Sequence, residues 1–320
     1  MSITLTCTQT LRESDDTVTA WFDCSHPVTA KAGQFITLAV PIENRVHQRS
    51  YSLSAFDTER VPNAVRITVK RVEDGLVSNW LVDHCEEGLT LQASEPMGNF
   101  TLDSDAKTHA FIAAGSGISP IAAMLQELAE HHPNTPANLL YIVRHAKTAP
   151  LLTELKTLSV TYPQLQIKVW DTATIGRPNA LQLSALLTAW EADTHYVCGP
   201  EALIDTVSKL TLNRLRMERF NAAVYNFETV KPDGAAITFS ESQKTIEITE
   251  AETILDLAEA NGIAVNSSCR SGVCHECKLR HNNPEAIVWL EEENALTDEE
   301  KKEYLLACCT TVAGKVDIAC

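Results

Sequence analysis

Alternation of apolar and polar positions dominates the first hundred residues. Segments of period two at 2–8, 17–24, 35–40, 49–54, 64–70 and 89–93 are separated by turn residues, as at Pro27, Lys31-Ala32-Gly33-Gln34 and Pro62-Asn63. Many short strands at regular intervals predict an antiparallel β-barrel. One stretch breaks the pattern: Gly75-Leu76-Val77-Ser78-Asn79-Trp80-Leu81 reads as a glycine turn opening a short helix. Free N–H groups at a helix start form a phosphate site, to which Ser78 adds a hydroxyl. From His109 the rhythm changes. Strands at 110–114, 139–143, 166–170 and 195–198 alternate with helices at 121–130, 151–158, 181–189 and 201–210. That alternation predicts an α/β domain with a parallel sheet and helical crossovers. Residues 221–234, with Lys231-Pro232-Asp233-Gly234, read as a linker. Beyond them lie a hairpin at 236–239 and 245–249, a helix at 252–260 stopped by Asn261-Gly262, and a cysteine-bearing loop. A capping box at Thr297-Asp298-Glu299-Glu300 and strands at 304–308 and 315–318 complete a small mixed module.

Length and charge narrow the class. A chain of 320 residues suggests two or three domains, and its net charge of -16 argues against nucleic acid and anionic membranes as partners. The acid is uneven: residues 235–320 carry seven Lys and Arg against sixteen Asp and Glu, a net of -9. Such a face suits a basic redox partner or simply a solvated surface. Residues 1–10 lack the basic and apolar regions of a signal peptide. The apolar stretch 110–125 contains Gly115, Ser116, Gly117, Ser119 and Pro120, which is incompatible with a membrane span. Of ten cysteines, four fall in one pattern and the others are scattered, so a reducing cytoplasm is expected. Oligomeric state is not written in the pattern; a monomer is the expectation.

The cysteine pattern is the sharpest chemical signal. Cys269, Cys274 and Cys277 are spaced C-x4-C-x2-C, and Cys308 follows thirty-one positions after the third. That is the ligand spacing of a plant-type [2Fe-2S] cluster. Three thiolates converge on a small inorganic core from a wrapping loop, and a fourth closes the set from another element. Gly272 allows the tight turn, and loop N–H groups can point at the cluster sulfides. Structural zinc sites favour paired C-x2-C units, and only one is present here. If 304–308 is a strand, Cys308 and Cys309 point to opposite faces and only one can be a ligand. Rieske-type ligation through His275 would need two histidines replacing two cysteines, and four cysteines suffice.

Two further runs are weak alone. In Arg49-Ser50-Tyr51-Ser52, Arg49 and Tyr51 share one strand face and Ser52 reaches the other. A cation, a flat ring and a hydroxyl suit a phosphate-bearing ring ligand. The loop Gly115-Ser116-Gly117-Ile118-Ser119-Pro120 joins a strand to a helix, and its glycines let the backbone approach a pyrophosphate. Its last position is Pro rather than Gly, so it is not the usual dinucleotide fingerprint.

Taken with Gly75 and Ser78, the Arg49-Ser50-Tyr51-Ser52 strand resembles the flavin domain of the ferredoxin–NAD(P)+ reductase superfamily. The resemblance implies that Arg49 meets the flavin phosphates, Tyr51 lies against the isoalloxazine and Ser52 approaches its reactive edge. Ser50 and the strand end Val69-Lys70 are expected to line the same cofactor. Met97-Gly98-Asn99-Phe100 is similar to the family's barrel exit. Gly115, Gly117 and Pro120 resemble its nicotinamide loop, and Arg144 matches an Arg near the nucleotide. Cys198-Gly199-Pro200 resembles the C-G-P that sets the nicotinamide beside the flavin, so Ser52 and Cys198 are the expected catalytic residues. Glu218-Arg219-Phe220 resembles the closing stretch, with Phe220 shielding the flavin. Cys308 rather than Cys309 matches the family's closing L-A-C ligand. His275 stands where relatives often carry Gly.

The order flavin barrel, nicotinamide domain, β-grasp ferredoxin resembles the phthalate dioxygenase reductase-like group. Expected boundaries are 1–104 for the flavin barrel, 105–222 for the nucleotide domain, 223–234 for the linker and 235–320 for the ferredoxin. The resemblance implies an NADH oxidoreductase that takes hydride onto a flavin, FAD in preference to FMN, and releases single electrons through [2Fe-2S]. NADH is preferred over NADPH because the first charged residue after Trp170 is Asp171, ahead of Arg177. The implied acceptor is an oxygenase component or a hybrid cluster protein. A relay subunit of a larger complex, without its own NADH turnover, is the alternative.

Overall fold

A computed structural model describes the chain except at residues 1, 44, 58–62, 74, 212–213, 220–226, 228–229, 231, 233, 268–271, 273–274, 292–293 and 295. It forms two compact units, residues 1–220 and 221–320.

The first unit opens with a closed antiparallel barrel. Its strands are β1 (Ser2–Ser14), β2 (Thr17–Cys24), β3 (Phe35–Ile42), β4 (Arg45–Asp57), β5 (Ala64–Lys70) and β6 (Thr90–Ser94), ordered β1-β2-β5-β4-β3-β6. Inward positions such as Leu5, Phe22, Leu38, Leu53 and Ile67 are fully buried. Strands β1 and β4 outrun the alternation that predicts them because register shifts interrupt their side-chain phase. These lie between Cys7 and Gln9, between Arg12 and Ser14, and between Leu53 and Ala55. Such bulges bend strands so that a barrel can close. Helix α1 (Leu76–His84) lies between β5 and β6 in the chain and buries Val77, Leu81 and Val82.

A parallel sheet follows in the same unit. Its elements are β7 (His109–Ala114), α2 (Ile118–His131), β8 (Ala137–Val143), α3 (Leu152–Thr161), β9 (Leu165–Asp171), α4 (Thr172–Ile175), α5 (Ala180–Trp190), β10 (Thr194–Gly199), α6 (Glu201–Leu210) and β11 (Arg214–Arg219). The order is β11-β10-β7-β8-β9. Helix α2 starts three residues before the expected position, with Pro120 in its first turn, where a missing N–H breaks no helical bond. Strand β11 alternates charged residues with only two apolar ones, Leu215 and Met217, which pack against the sheet's core, while Arg214, Arg216, Glu218 and Arg219 make it largely charged. It is an edge strand, and charge on an edge discourages further pairing. The two halves of the unit share packing: Phe56 of β4 touches both hydrophobic cores. Between β7 and β10, Phe111 stacks on Tyr196 with ring centroids 4.7 Å apart, a pairing worth roughly 0.5–1.5 kcal/mol beyond its burial.

The second unit has β12 (Ala236–Phe239), β13 (Lys244–Glu247), α7 (Ile254–Ala260), β14 (Lys278–His281), β15 (Ile287–Trp289), β16 (Tyr304–Leu306), β17 (Thr310–Val312) and β18 (Lys315–Ala319). A five-stranded mixed sheet runs β13-β12-β18-β14-β16, beside a β15-β17 pair. Thr253 caps α7 by accepting from the Asp256 N–H, so the helix begins after the expected Glu252. The box at Thr297 and Glu300 is present, but it opens only the 3-10 turn Glu300–Lys302. The strand expected at 304–308 stops at Leu306, and Ala307–Cys309 form a 3-10 turn. Opposite-face logic therefore does not separate Cys308 from Cys309. Among the described residues no helix is long and apolar enough to cross a membrane.

Candidate functional site

In a parallel sheet ordered β11-β10-β7-β8-β9, the chain reverses its direction of growth between β7 and β10. Ligands of open α/β sheets bind at the carboxyl ends of the strands at such a switch point. Both nucleotide motifs converge there. Gly117, after β7, presses on the end of β10: a Cβ on it would lie 2.2 Å from the Cys198 carbonyl oxygen and 2.5 Å from its carbonyl carbon. Gly115 faces the other way, with a φ of +57° and nothing within 4 Å of a built Cβ. One glycine thus joins the two loops, and the other borders open space. Pro200 caps α6 without a side-chain bond, and Gly199 lies against Ala114.

Strand β4 of the barrel reaches the same place. The Ser52 hydroxyl donates to Glu218 Oε2 at 3.1 Å, and the Cys198 thiol donates to the same oxygen at 3.8 Å. Parallel register sets Cys198 of β10 beside Glu218 of β11. Ser52 and Cys198, 146 residues apart in the chain, therefore meet on one carboxylate. Both are buried. Burial and then the Glu218 carboxylate push the Cys198 thiol well up, so it stays neutral. Glu218 had a sequence signal, its place in the Glu218-Arg219-Phe220 stretch, but nothing in the pattern assigned it a role. Arg219 beside it is drawn away, its Nε donating to Glu201 at 2.7 Å. Phe220 lies outside the described residues.

The barrel residues divide into those turned outward and those already engaged. Arg49 is exposed, its guanidinium donating to the Gln48 carbonyl at 2.7 Å. Tyr51 is half-buried against the barrel core, and burial raises its phenol so that it stays protonated. The Ser50 hydroxyl is 3.0 Å from that of Thr37. Val69 turns its side chain into the core and its backbone into the ladder with Val18. Lys70 pairs with Asp16 at 3.4 Å. Ser78 differs from expectation: its oxygen accepts from the Val72 N–H at 3.2 Å and lies 3.5 Å from the Gly75 carbonyl. The hydroxyl braces the turn instead of projecting from it. Gly75 caps α1 with no side-chain bond, so the first-turn N–H groups are what this turn offers an anion.

At the other end of the nucleotide sheet, Arg144 follows β8 and is exposed. Asp171 ends β9 as the cap of α4, accepting from the Ala173 and Thr174 N–H groups, and from Ala146 N at 2.9 Å. These bonds, Ala146's first, hold its carboxyl below the usual range and fix a negative charge there.

In the second unit, Cys277 and Cys308 flank one ladder. Lys278 of β14 pairs with Leu306 of β16, and the Ala307 N–H donates to the Cys277 carbonyl at 3.0 Å. Both cysteines are buried. Cys269 and Cys274 lie outside the described residues. Among the described residues no group of three or more His, Cys, Asp or Glu could hold a metal, as expected when half of the thiol set is not among them. Gly272 has a φ of +73°, and a Cβ on it would lie 3.0 Å from Cys309 Sγ. Cys309 thus lies against Gly272, its thiol donating to the Leu306 carbonyl at 3.7 Å. His275 is exposed at a φ of +63°, a conformation glycine adopts without strain.

Family models match all three parts of the chain. An oxidoreductase FAD-binding domain covers residues 4–102, an oxidoreductase NAD-binding domain 111–209, and a 2Fe-2S iron-sulfur cluster binding domain 237–313. The ferredoxin reductase component of 3-ketosteroid-9-alpha-monooxygenase from Rhodococcus rhodochrous is 31% identical, over 96% of this chain and 93% of that protein. The NADH oxidoreductase HCR of Escherichia coli strain K12 is 29% identical, over 96% and 94% respectively. Phthalate dioxygenase reductase, described as a modular structure for electron transfer from pyridine nucleotides to [2Fe-2S], superposes with a TM-score of 0.66 at 25% identity, covering 100% of this chain and 98% of that one. The chain therefore belongs to the phthalate dioxygenase reductase-like family, FAD- and NAD-binding oxidoreductases with a C-terminal 2Fe-2S ferredoxin domain, and is an NAD(P)H-dependent flavin and iron–sulfur oxidoreductase.

Proposed function

We propose that this protein takes hydride from NADH at the Ser52–Glu218–Cys198 junction and delivers single electrons through a C-terminal [2Fe-2S] cluster to an oxygenase component. The observation that carries the reading is the meeting of a barrel strand and two nucleotide-sheet strands on one carboxylate. Bound FAD supplies the conversion of a hydride pair into single electrons. The residues do the rest. Gly115 and Gly117 admit the nucleotide backbone, Pro120 starts the helix behind it, and Gly199-Pro200 seat the nicotinamide. Glu218 places negative charge where the nicotinamide becomes cationic as hydride leaves, which favours the transition state. Ser52 and neutral Cys198 hold that carboxylate in place. Arg49, Tyr51, Ser50, the Val69-Lys70 backbone and the Gly75–Ser78 turn line the flavin, with Phe220 as its shield and Arg144 towards the adenosine.

Cys269, Cys274, Cys277 and Cys308 are assigned as cluster ligands, and Cys309 as the buttress. The work divides along 1–104 for flavin, 105–222 for nucleotide and 235–320 for the cluster, with 223–234 as connection. The fixed charge of Asp171 favours NADH, since it opposes a 2′-phosphate. The ketosteroid monooxygenase relative supports an oxygenase component as acceptor. The Escherichia coli relative supports a second reading, a hybrid cluster protein as acceptor. Steady-state assays with NADH and NADPH, using ferricyanide and then each purified acceptor class, test the proposal. A higher kcat/KM with NADH and coupled turnover of an oxygenase are expected. Turnover only with a hybrid cluster protein would move the acceptor to the second reading, and no NADH turnover at all would leave only an electron-relay role.

A further inference from the structure

The bulge in β4 falls at Ser54, two residues past Ser52, between the paired positions Leu53 and Ala55. Bulges beside a site re-aim neighbouring side chains. One side chain grips this one. Arg66 of β5 is 5% exposed; its Nε donates to the Ser54 hydroxyl at 3.1 Å and its NH2 to the Ser54 carbonyl at 2.9 Å. The rest of the guanidinium forks onto Glu154 in the first turn of α3, at 2.7 and 2.9 Å. Trp21 lies beneath it, 5.5 Å from ring centroid to guanidinium carbon. Starting from the same Ser54, buried hydroxyls run inward to Thr68 at 3.2 Å and Thr19 at 2.9 Å. Thr19 donates to Glu13 at 2.9 Å, and Glu13 accepts the Leu151 N–H at 3.4 Å. Both routes end at the start of α3, one at Glu154 and the other at Leu151, which is held at a φ of +57°. The barrel bulge and the nucleotide-sheet helix are thus closed into one ring of hydrogen bonds.

The geometry points to Arg66 as a positioning residue for hydride transfer: by tying the Ser54 bulge to Glu154, it fixes where Ser52 stands relative to the nucleotide sheet. A bidentate guanidinium pair carries direction as well as attraction, which a lysine ammonium does not reproduce. The guanidinium bonds to Ser54 and Glu154 and not to Glu218 or Cys198, so its action is through β4. The inference rests on the hydride-transfer reading above.

Glu154→Gln and Arg66→Lys test it in the full-length holoprotein. Anaerobic single-turnover mixing with NADH and with NADH dideuterated at C4 reads hydride transfer, and the concentration dependence reads NADH affinity. Hydride transfer is expected to slow about 5-fold in Glu154→Gln and about 30-fold in Arg66→Lys, with NADH affinity within about 2-fold, since a small misplacement costs rate and not binding. Hydrogen exchange of the cofactor-free protein supplies a readout independent of turnover: amides 53–55, remote from Glu154 in sequence, should exchange faster in Glu154→Gln. If Arg66→Lys does not retain flavin, Glu154→Gln decides alone. Unchanged hydride transfer, unchanged exchange at 53–55, or slowing matched by weaker NADH binding overturns the clamp. Failure of NADH to bleach the wild-type flavin would instead remove the hydride-transfer reading, and the clamp with it.

Discussion

The two redox stations of this chain are built by different means. In the first unit, Ser52, Cys198 and Glu218 come from three strands spread over most of the unit and are brought together by ladder register and the β4 bulge. No covalent chemistry holds them; a backbone contact between Gly117 and Cys198 fixes the floor. In the second unit, the assigned ligands fall within forty residues, and the chain between them has only to wrap and return. The first station is therefore sensitive to anything that separates backbones and graded in its response to side-chain changes. The second is close to all-or-none at its thiols and tolerant around them.

The largest expected effect breaks the stations apart. Cys308→Ser should abolish the reduced-cluster EPR signal and reduction of one-electron protein acceptors, while NADH reduction of the flavin stays within about 2-fold, because a thiolate ligand has no substitute there. Cys309→Ser should keep the signal. The reverse result for the pair would exchange ligand and buttress. Next, Gly117→Ala should slow flavin reduction by NADH at least about 100-fold with flavin and cluster retained, since backbone cannot yield to a Cβ placed at 2.2 Å. Stopped-flow bleaching of the flavin absorbance reads it. Glu218→Gln sharpens the contrast, because it removes charge and leaves shape. A fall of about 10-fold in hydride transfer is expected, close to 1.4 kcal/mol, with cluster reduction by dithionite unchanged. The smallest effect is a flat profile. Because burial raises the Cys198 thiol, it remains protonated at pH values where an ordinary thiol ionises, so no thiolate limb should appear in hydride transfer up to about pH 9. A limb at the ordinary thiol value, removed by Cys198→Ser, would show that this thiol ionises in the working site.

The same contrast explains what could be read from residues alone. Cluster chemistry dictates spacing, so Cys269, Cys274, Cys277 and Cys308 stand out without any fold. Barrel and parallel sheet follow from periodicity, and their strands lie where alternation predicts them. Periodicity fails where another force sets the structure. Bulges carry β1 and β4 past their apolar alternation, and β11, an edge strand, has only Leu215 and Met217 to alternate with its charges. The turn at Ala307–Cys309 replaces the end of an expected strand, so strand facing does not separate Cys308 from Cys309, and the choice of Cys308 rests on the resemblance of Leu306-Ala307-Cys308 to the family's closing ligand. Side-chain roles were the least legible. Ser78 looks like a phosphate ligand in the sequence and is a turn brace in space. Asp171 looks like a ribose partner and spends its oxygens on three backbone N–H groups. Glu218 lies in a stretch that resembles the family's and Arg66 in a plain strand, but the role of each is set by a partner far along the chain.

The most direct test of the central claim is rapid-freeze EPR after anaerobic mixing of the wild-type holoprotein with one equivalent of NADH, followed in parallel by flavin absorbance. The account predicts that the flavin bleaches first and that a [2Fe-2S] signal of the all-cysteine type then grows in. A cluster that stays oxidised while the flavin is reduced, or a flavin that NADH does not bleach, would contradict it.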